Sequence, residues 1–134
     1  MSSRPLTVSS RSVAPLHVLG AEVRFLCEAE STGGAWSLME VTLPENSGPP
    51  PHVHDWDEAY FVTAGTIEFT VGGERFTASA GDFVYTPGGV AHAAFVAARP
   101  RRRRRWCSTR RRTPRASSSA SIAKCARSPT TCRR

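Results

Sequence analysis

Residues 51–92 read PHVHDWDEAYFVTAGTIEFTVGGERFTASAGDFVYTPGGVAH, and the fold is decided here. Ile67, Phe69 and Val71 alternate with Glu68 and Thr70, the period of two that marks a strand with one buried face. Gly72-Gly73 follows at once, and Glu74-Arg75-Phe76 resumes the strand texture. Two glycines between such runs predict a hairpin, because glycine accepts the positive φ of a primed turn. On an extended chain His52 and His54 share a parity with Glu58, Tyr60 and Val62, whereas Asp55 and Asp57 take the other. Two imidazoles and a carboxylate therefore project together. His92 stands in another β segment, with Val90, Ala94 and Val96 on its own face.

The same texture extends upstream. Val23, Phe25 and Cys27 alternate with Arg24 and Leu26, and Met39, Val41 and Leu43 alternate with Glu40 and Thr42. Gly33-Gly34 and the run Gly48-Pro49-Pro50-Pro51 punctuate these segments. No segment sustains a 3.6-residue period. The fold class is all-β with many short strands, a sandwich or a barrel.

Charge divides the chain at position 97. All 11 acidic residues precede it, whereas fourteen of the 18 basic residues follow it, so the net charge of +7 describes neither part. Residues 1–16 form a Ser-rich lead-in expected to be disordered, and 17–96 form the β domain. Residues 97–134 form an Arg/Ser/Pro-rich basic tail. Beyond position 97 there is no glycine, and Trp106 and Ile122 are the only large apolar residues, which predicts disorder. Its vocabulary of Arg, Ala, Pro and Ser is also that of a GC-rich gene translated out of frame. Arg101 to Arg105, Arg110 to Arg112 and Arg115, with Trp106 for stacking, offer an electrostatic footprint for nucleic acid. The footprint has no reading element, and the acidic domain opposes it, so nucleic acid is not the expected partner. Cys27 is alone in the β domain, so no disulfide staples it; a reducing compartment, the cytoplasm, is expected. No stretch reaches the roughly 18 apolar residues of a membrane helix.

Three imidazoles and one carboxylate suit Fe, Mn, Zn, Ni or Cu, and such a site can leave positions open for substrate or oxygen. A His-x-His pair alone is more often two pocket histidines. Here Glu58 and His92 lie in the same glycine-punctuated framework, which favours a metal site. Tyr60 and Val62 are expected beside it, and Trp56 as either a lid or packing. Phe69, Phe83, Tyr85 and Phe95 are candidate walls of unread facing. Cys27 is expected in the core and His17 outside any site.

These residues resemble the two motifs of the cupin superfamily, in particular its small single-domain, quercetinase-like barrels. The first motif is met by His52, His54, Glu58 and Gly65, and the second by Gly81, Pro87, Gly89 and His92. The resemblance implies a double-stranded β-helix, or jelly roll, with His52, His54, Glu58 and His92 as ligands of one divalent metal ion. It implies chemistry on a small oxygen-rich molecule: a dioxygenase first, then an isomerase or decarboxylase, with Glu58 as a candidate catalytic base. A non-catalytic sensor that binds a small ligand is the alternative, and nucleic-acid binding through the tail a second. Jelly rolls of this size commonly pair through strand edges, so a homodimer is expected. Two departures stand out. Asn46 replaces a glycine usual six residues before the first histidine, and Val96 replaces an asparagine usual four residues after the last. The basic tail begins where further strands would follow, which predicts a barrel incomplete at its C-terminal end.

Overall fold

A computed structural model of the protein describes residues 4–98 and 119–127. The period-two segments become strands: β1 (Leu16–Val18), β2 (Ala21–Cys27), β3 (Trp36–Pro44), β4 (Asp57–Ala64), β5 (Thr66–Val71), β6 (Glu74–Ser79), β7 (Phe83–Thr86), β8 (His92–Phe95) and β9 (Ser119–Arg127). No α-helix occurs among the described residues, and hence none long and apolar enough to cross a membrane. Six strands form one antiparallel sheet in the order β1-β2-β3-β9-β4-β7, and three form a second in the order β6-β5-β8. This is the expected all-β jelly roll. Gly72 and Gly73 make the β5–β6 turn with φ of 58° and 88°.

The core lies between the two sheets. Leu43, Tyr60, Val62, Ile67, Phe69 and Ile122 meet there, each at most 3% exposed. Alternation along β4 is strict: Glu58, Tyr60 and Val62 are buried, while Phe61 and Thr63 face out. Of the four aromatic wall candidates only Phe69 points inward. Phe83, Tyr85 and Phe95 are exposed, because Val84, Thr86 and Ala94 take the inward parity of β7 and β8.

Asn46 solves the missing-glycine problem. Its φ of 57° is left-handed, which asparagine tolerates better than most residues, and its N–H donates to the Val96 carbonyl at 2.7 Å. Two residues on, Gly48 presses its backbone against β8. A Cβ there would lie 1.9 Å from the Ala94 carbonyl oxygen, so only glycine fits.

The tail differs most from expectation. Residues 119–127, expected to be disordered, form β9 and fill the gap between β3 and β4, pairing antiparallel with both. The reason is the two facing edges. Unpaired N–H and C=O groups on β3 and β4 are satisfied by any strand that fits, and β9 supplies mostly small side chains. Ala120 and Ile122 turn inward, 1% and 3% exposed, opposite Leu43 and Val41 of β3. Thr63 Oγ1 donates to the Ser121 carbonyl at 2.9 Å on the outer face. The six-stranded sheet is therefore continuous from β3 through β9 to β4. At the other end, described lead-in residues form a short 3-10 turn at Ser10–Ser12, and β1 begins at Leu16. The candidate nucleic-acid footprint, Arg101 to Arg115 with Trp106, lies outside the described residues, as do residues 1–3 and 128–134.

Candidate metal centre

Backbone pairing assembles the site. His52 and His92 exchange both N–H···O bonds, at 3.0 and 2.9 Å, so the two motifs face each other across a bridge. The Pro87-Gly88-Gly89 turn then clasps the histidine loop. Gly89 N–H donates to the His54 carbonyl at 2.7 Å, and Gly88 N–H to Asp57 Oδ1 at 2.9 Å. Gly88 is required here, since a Cβ would sit 2.3 Å from the Asp55 carbonyl oxygen. Asp57 points away from the ligands, as its parity predicts, yet helps to hold them.

The four residues converge. One ligand atom each from His52, His54, Glu58 and His92 lies within 4.8 Å of the others. The imidazole centroids of His52 and His92 are 4.3 Å apart, and those of His54 and His92 are 4.8 Å apart. Glu58 and His92 are buried, and the other two half-buried.

Each histidine is also oriented by its own backbone. The Nδ1 of His52 meets the Pro50 carbonyl at 2.8 Å, that of His54 the Trp56 carbonyl at 2.8 Å, and that of His92 the Val90 carbonyl at 2.9 Å. A carbonyl only accepts, so each Nδ1 carries the proton, and a neutral ring then offers its Nε2 lone pair to the site. The consequence is visible at Glu58. His54 Nε2 lies 3.1 Å from Oε1 and His92 Nε2 lies 3.3 Å from Oε2. Nevertheless both nitrogens are buried without a hydrogen bond. Lone pairs facing a carboxylate need a cation between them. The donor set and its orphaned nitrogens fit a divalent metal ion.

Glu58 has further partners. Tyr60 donates its hydroxyl to Oε2 in a short hydrogen bond, and Lys124 of β9 places Nζ 2.5 Å from Oε1. Burial alone would raise the Glu58 carboxyl, but the Lys124 charge and the hydrogen bonds from Lys124 and Tyr60 outweigh it and hold the pKa at about 2. Burial and the Glu58 charge push the Tyr60 hydroxyl upward, so it stays protonated and donates. Trp56 stacks on the His54 ring, with centroids 4.2 Å apart and planes 4° from parallel, and its Nε1 lies 3.5 Å from Glu58 Oε1. It braces a ligand while remaining 41% exposed.

A cavity of about 180 Å³ adjoins the cluster, walled by Val23, Met39, Val41, Leu43 and Ile122, with Tyr60 and Lys124 also lining it. Tyr60 lines it. Val62 is absent from the lining and fully buried in the core, so its role is packing. His17 is exposed on β1, and Cys27 is buried. Sequence reasoning missed Lys124 and Thr86. Thr86 pairs with Glu58 across the ladder and keeps a buried hydroxyl without a partner. Its inward parity on β7 was the available signal. For Lys124 there was none, because nothing in the tail announced a strand.

The sequence profile of the family described as Cupin domain matches residues 39–98, which span all four candidate ligands. Over those residues the chain resembles the Cupin domain family, and its fold is that of solved cupins. Over 69 residues the chain is 30% identical to quercetin 2,3-dioxygenase of Bacillus subtilis (strain 168), covering 51% of the chain and 20% of that protein. It thus spans about a fifth of the length of the curated relative it matches. Its fold is similar to the crystal structure of a predicted oxalate decarboxylase from Thermotoga maritima, with a TM-score of 0.73 at 17% identity, over 91% of this chain and 98% of that one. It is also similar to an RmlC-like cupin from Shewanella frigidimarina, with a TM-score of 0.67 at 14% identity, over 96% and 94%.

Proposed function

We propose that this protein binds one divalent metal ion through His52, His54, Glu58 and His92 and acts on a small oxygen-rich molecule, with dioxygenation as the leading reaction. One observation carries the metal reading: the Nδ1 atoms are tied to backbone carbonyls, which turns the Nε2 lone pairs of His54 and His92 onto Glu58. Dioxygenation is supported by the likeness to a quercetin dioxygenase, and decarboxylation, the runner-up, by the likeness to a predicted oxalate decarboxylase.

A bound ion of this class supplies Lewis acidity and, where redox-active, electrons for oxygen chemistry. The protein's own residues do the rest. Glu58 holds negative charge in a buried setting, where an opposing cation is felt strongly. Tyr60 keeps its proton and fixes one carboxylate oxygen, leaving the other for the ion. Tyr60 and Lys124, which contact Glu58, also line an apolar cavity beside it.

Metal content and turnover test this together. Purified protein loaded with Fe(II), Mn(II), Ni(II), Cu(II) or Zn(II) is expected to retain one ion per chain, and His54→Ala to retain little. Oxygen uptake with a flavonol supports dioxygenation, whereas carbon dioxide release from oxalate without oxygen uptake supports decarboxylation. Equal metal retention by His54→Ala overturns the site.

A further inference from the structure

Lys124 is the only lysine in the chain. It sits where a metal ion's partner should be free. Its Nζ is 2.5 Å from Glu58 Oε1, the oxygen that His54 Nε2 also faces. The other carboxylate oxygen is taken by the Tyr60 hydroxyl. A divalent ion drawing on Glu58 therefore meets a resident monovalent cation, and the two repel in a buried setting. Lys124 has somewhere to go. It also lines the apolar cavity, with Nζ 5.5 Å from the Tyr60 ring centroid, and its side chain is 19% exposed, so a path toward the cavity and solvent adjoins it. Among the described residues it is the one charged group lining the cavity.

We propose that Lys124 is a built-in cation that occupies Glu58 until a metal displaces it, and that its released ammonium then selects a small apolar carboxylate in the adjoining cavity. This rests on the metal reading above. Before loading, the Lys124–Glu58 pair is neutral and the cavity offers an anion nothing. After loading, an ammonium among apolar walls faces it, so anion binding and metal binding are coupled. The walls from Met39, Val41, Leu43 and Ile122 favour a hydrocarbon body beside the carboxylate. About 180 Å³ accommodates a body of roughly one aromatic ring.

The single lysine makes the test clean. Acylation of the full chain with acetic anhydride, read by peptide mapping, reports Lys124 apart from the N-terminal amine. Saturating Zn(II) is expected to raise Lys124 labelling several-fold, and benzoate added to the Zn(II)-loaded protein to lower it again. By calorimetry, benzoate is expected to bind the loaded protein and to bind the Lys124→Met variant about tenfold more weakly, the loss of one charge-assisted contact. Unchanged labelling on Zn(II) saturation overturns the displacement. Failure of benzoate to bind the loaded protein, or equal binding by Lys124→Met, overturns the anion anchor. The labelling arm needs no variant, so it decides even if Lys124→Met does not fold. Absence of Zn(II) uptake by the unmodified protein is a different failure, that of the metal site itself.

Discussion

The histidine segment and β9 reach the same carboxylate by opposite routes. Residues 52–58 carry their own positioning: each Nδ1 bonds a carbonyl two residues away, and the Gly88-Gly89 turn locks the loop from outside. β9 brings Lys124 to Glu58 from 66 residues away in sequence, held by its ladders to β3 and β4 and by Ile122 in the core. Ligands set by local backbone geometry are written in short-range spacing. A counter-charge delivered by a returning strand depends on the whole sheet.

Ending the chain after Ala98 breaks the comparison most severely. It removes β9, uncovers Leu43, Tyr60 and Val62, and leaves β3 and β4 without a shared neighbour. The expected result is loss of cooperative thermal unfolding and association through open edges, read by circular dichroism and light scattering. A truncated chain that melts as sharply as the full one would show β9 to be dispensable.

Acid titration of the metal-free protein comes next. The Glu58 pKa, about 2, lies below its ordinary 4.5, so its stabilisation is complete above 4.5 and lost as pH falls toward 2. The loss is on the order of 3 kcal/mol. Denaturant unfolding across that window measures it. In Lys124→Met the loss shrinks, because the ammonium is what offsets burial.

Ile122→Val gives the smallest effect. Removing one buried methylene costs about 1 kcal/mol, measured as a shifted denaturant midpoint with unchanged slope. Metal affinity should not change, since the histidine segment positions itself.

The same contrast explains what could be read in advance. The four ligands, the inward parity of Glu58, Tyr60 and Val62, and the Gly72-Gly73 hairpin were legible because each depends on a period of two or on a turn. β9 was not. In residues 119–127 only Ile122 is large and apolar, and its burial comes from Val41 and Val62 on the neighbouring strands. The facing of Phe83, Tyr85 and Phe95 also escaped, because short strands carry too few residues to set a phase. Asn46 looked like a departure from the motif but adopts the backbone conformation that glycine would.

The central claim is that three Nε2 atoms grip one ion beside Glu58. Nitrogen-15 NMR of the four imidazoles during Zn(II) titration tests it most directly, with His17 as internal reference. The account predicts that His52, His54 and His92 are Nδ1–H tautomers before addition and shift together at Nε2 up to one equivalent, while His17 stays still. Shifts at Nδ1, or a His92 that does not respond with the other two, would contradict it.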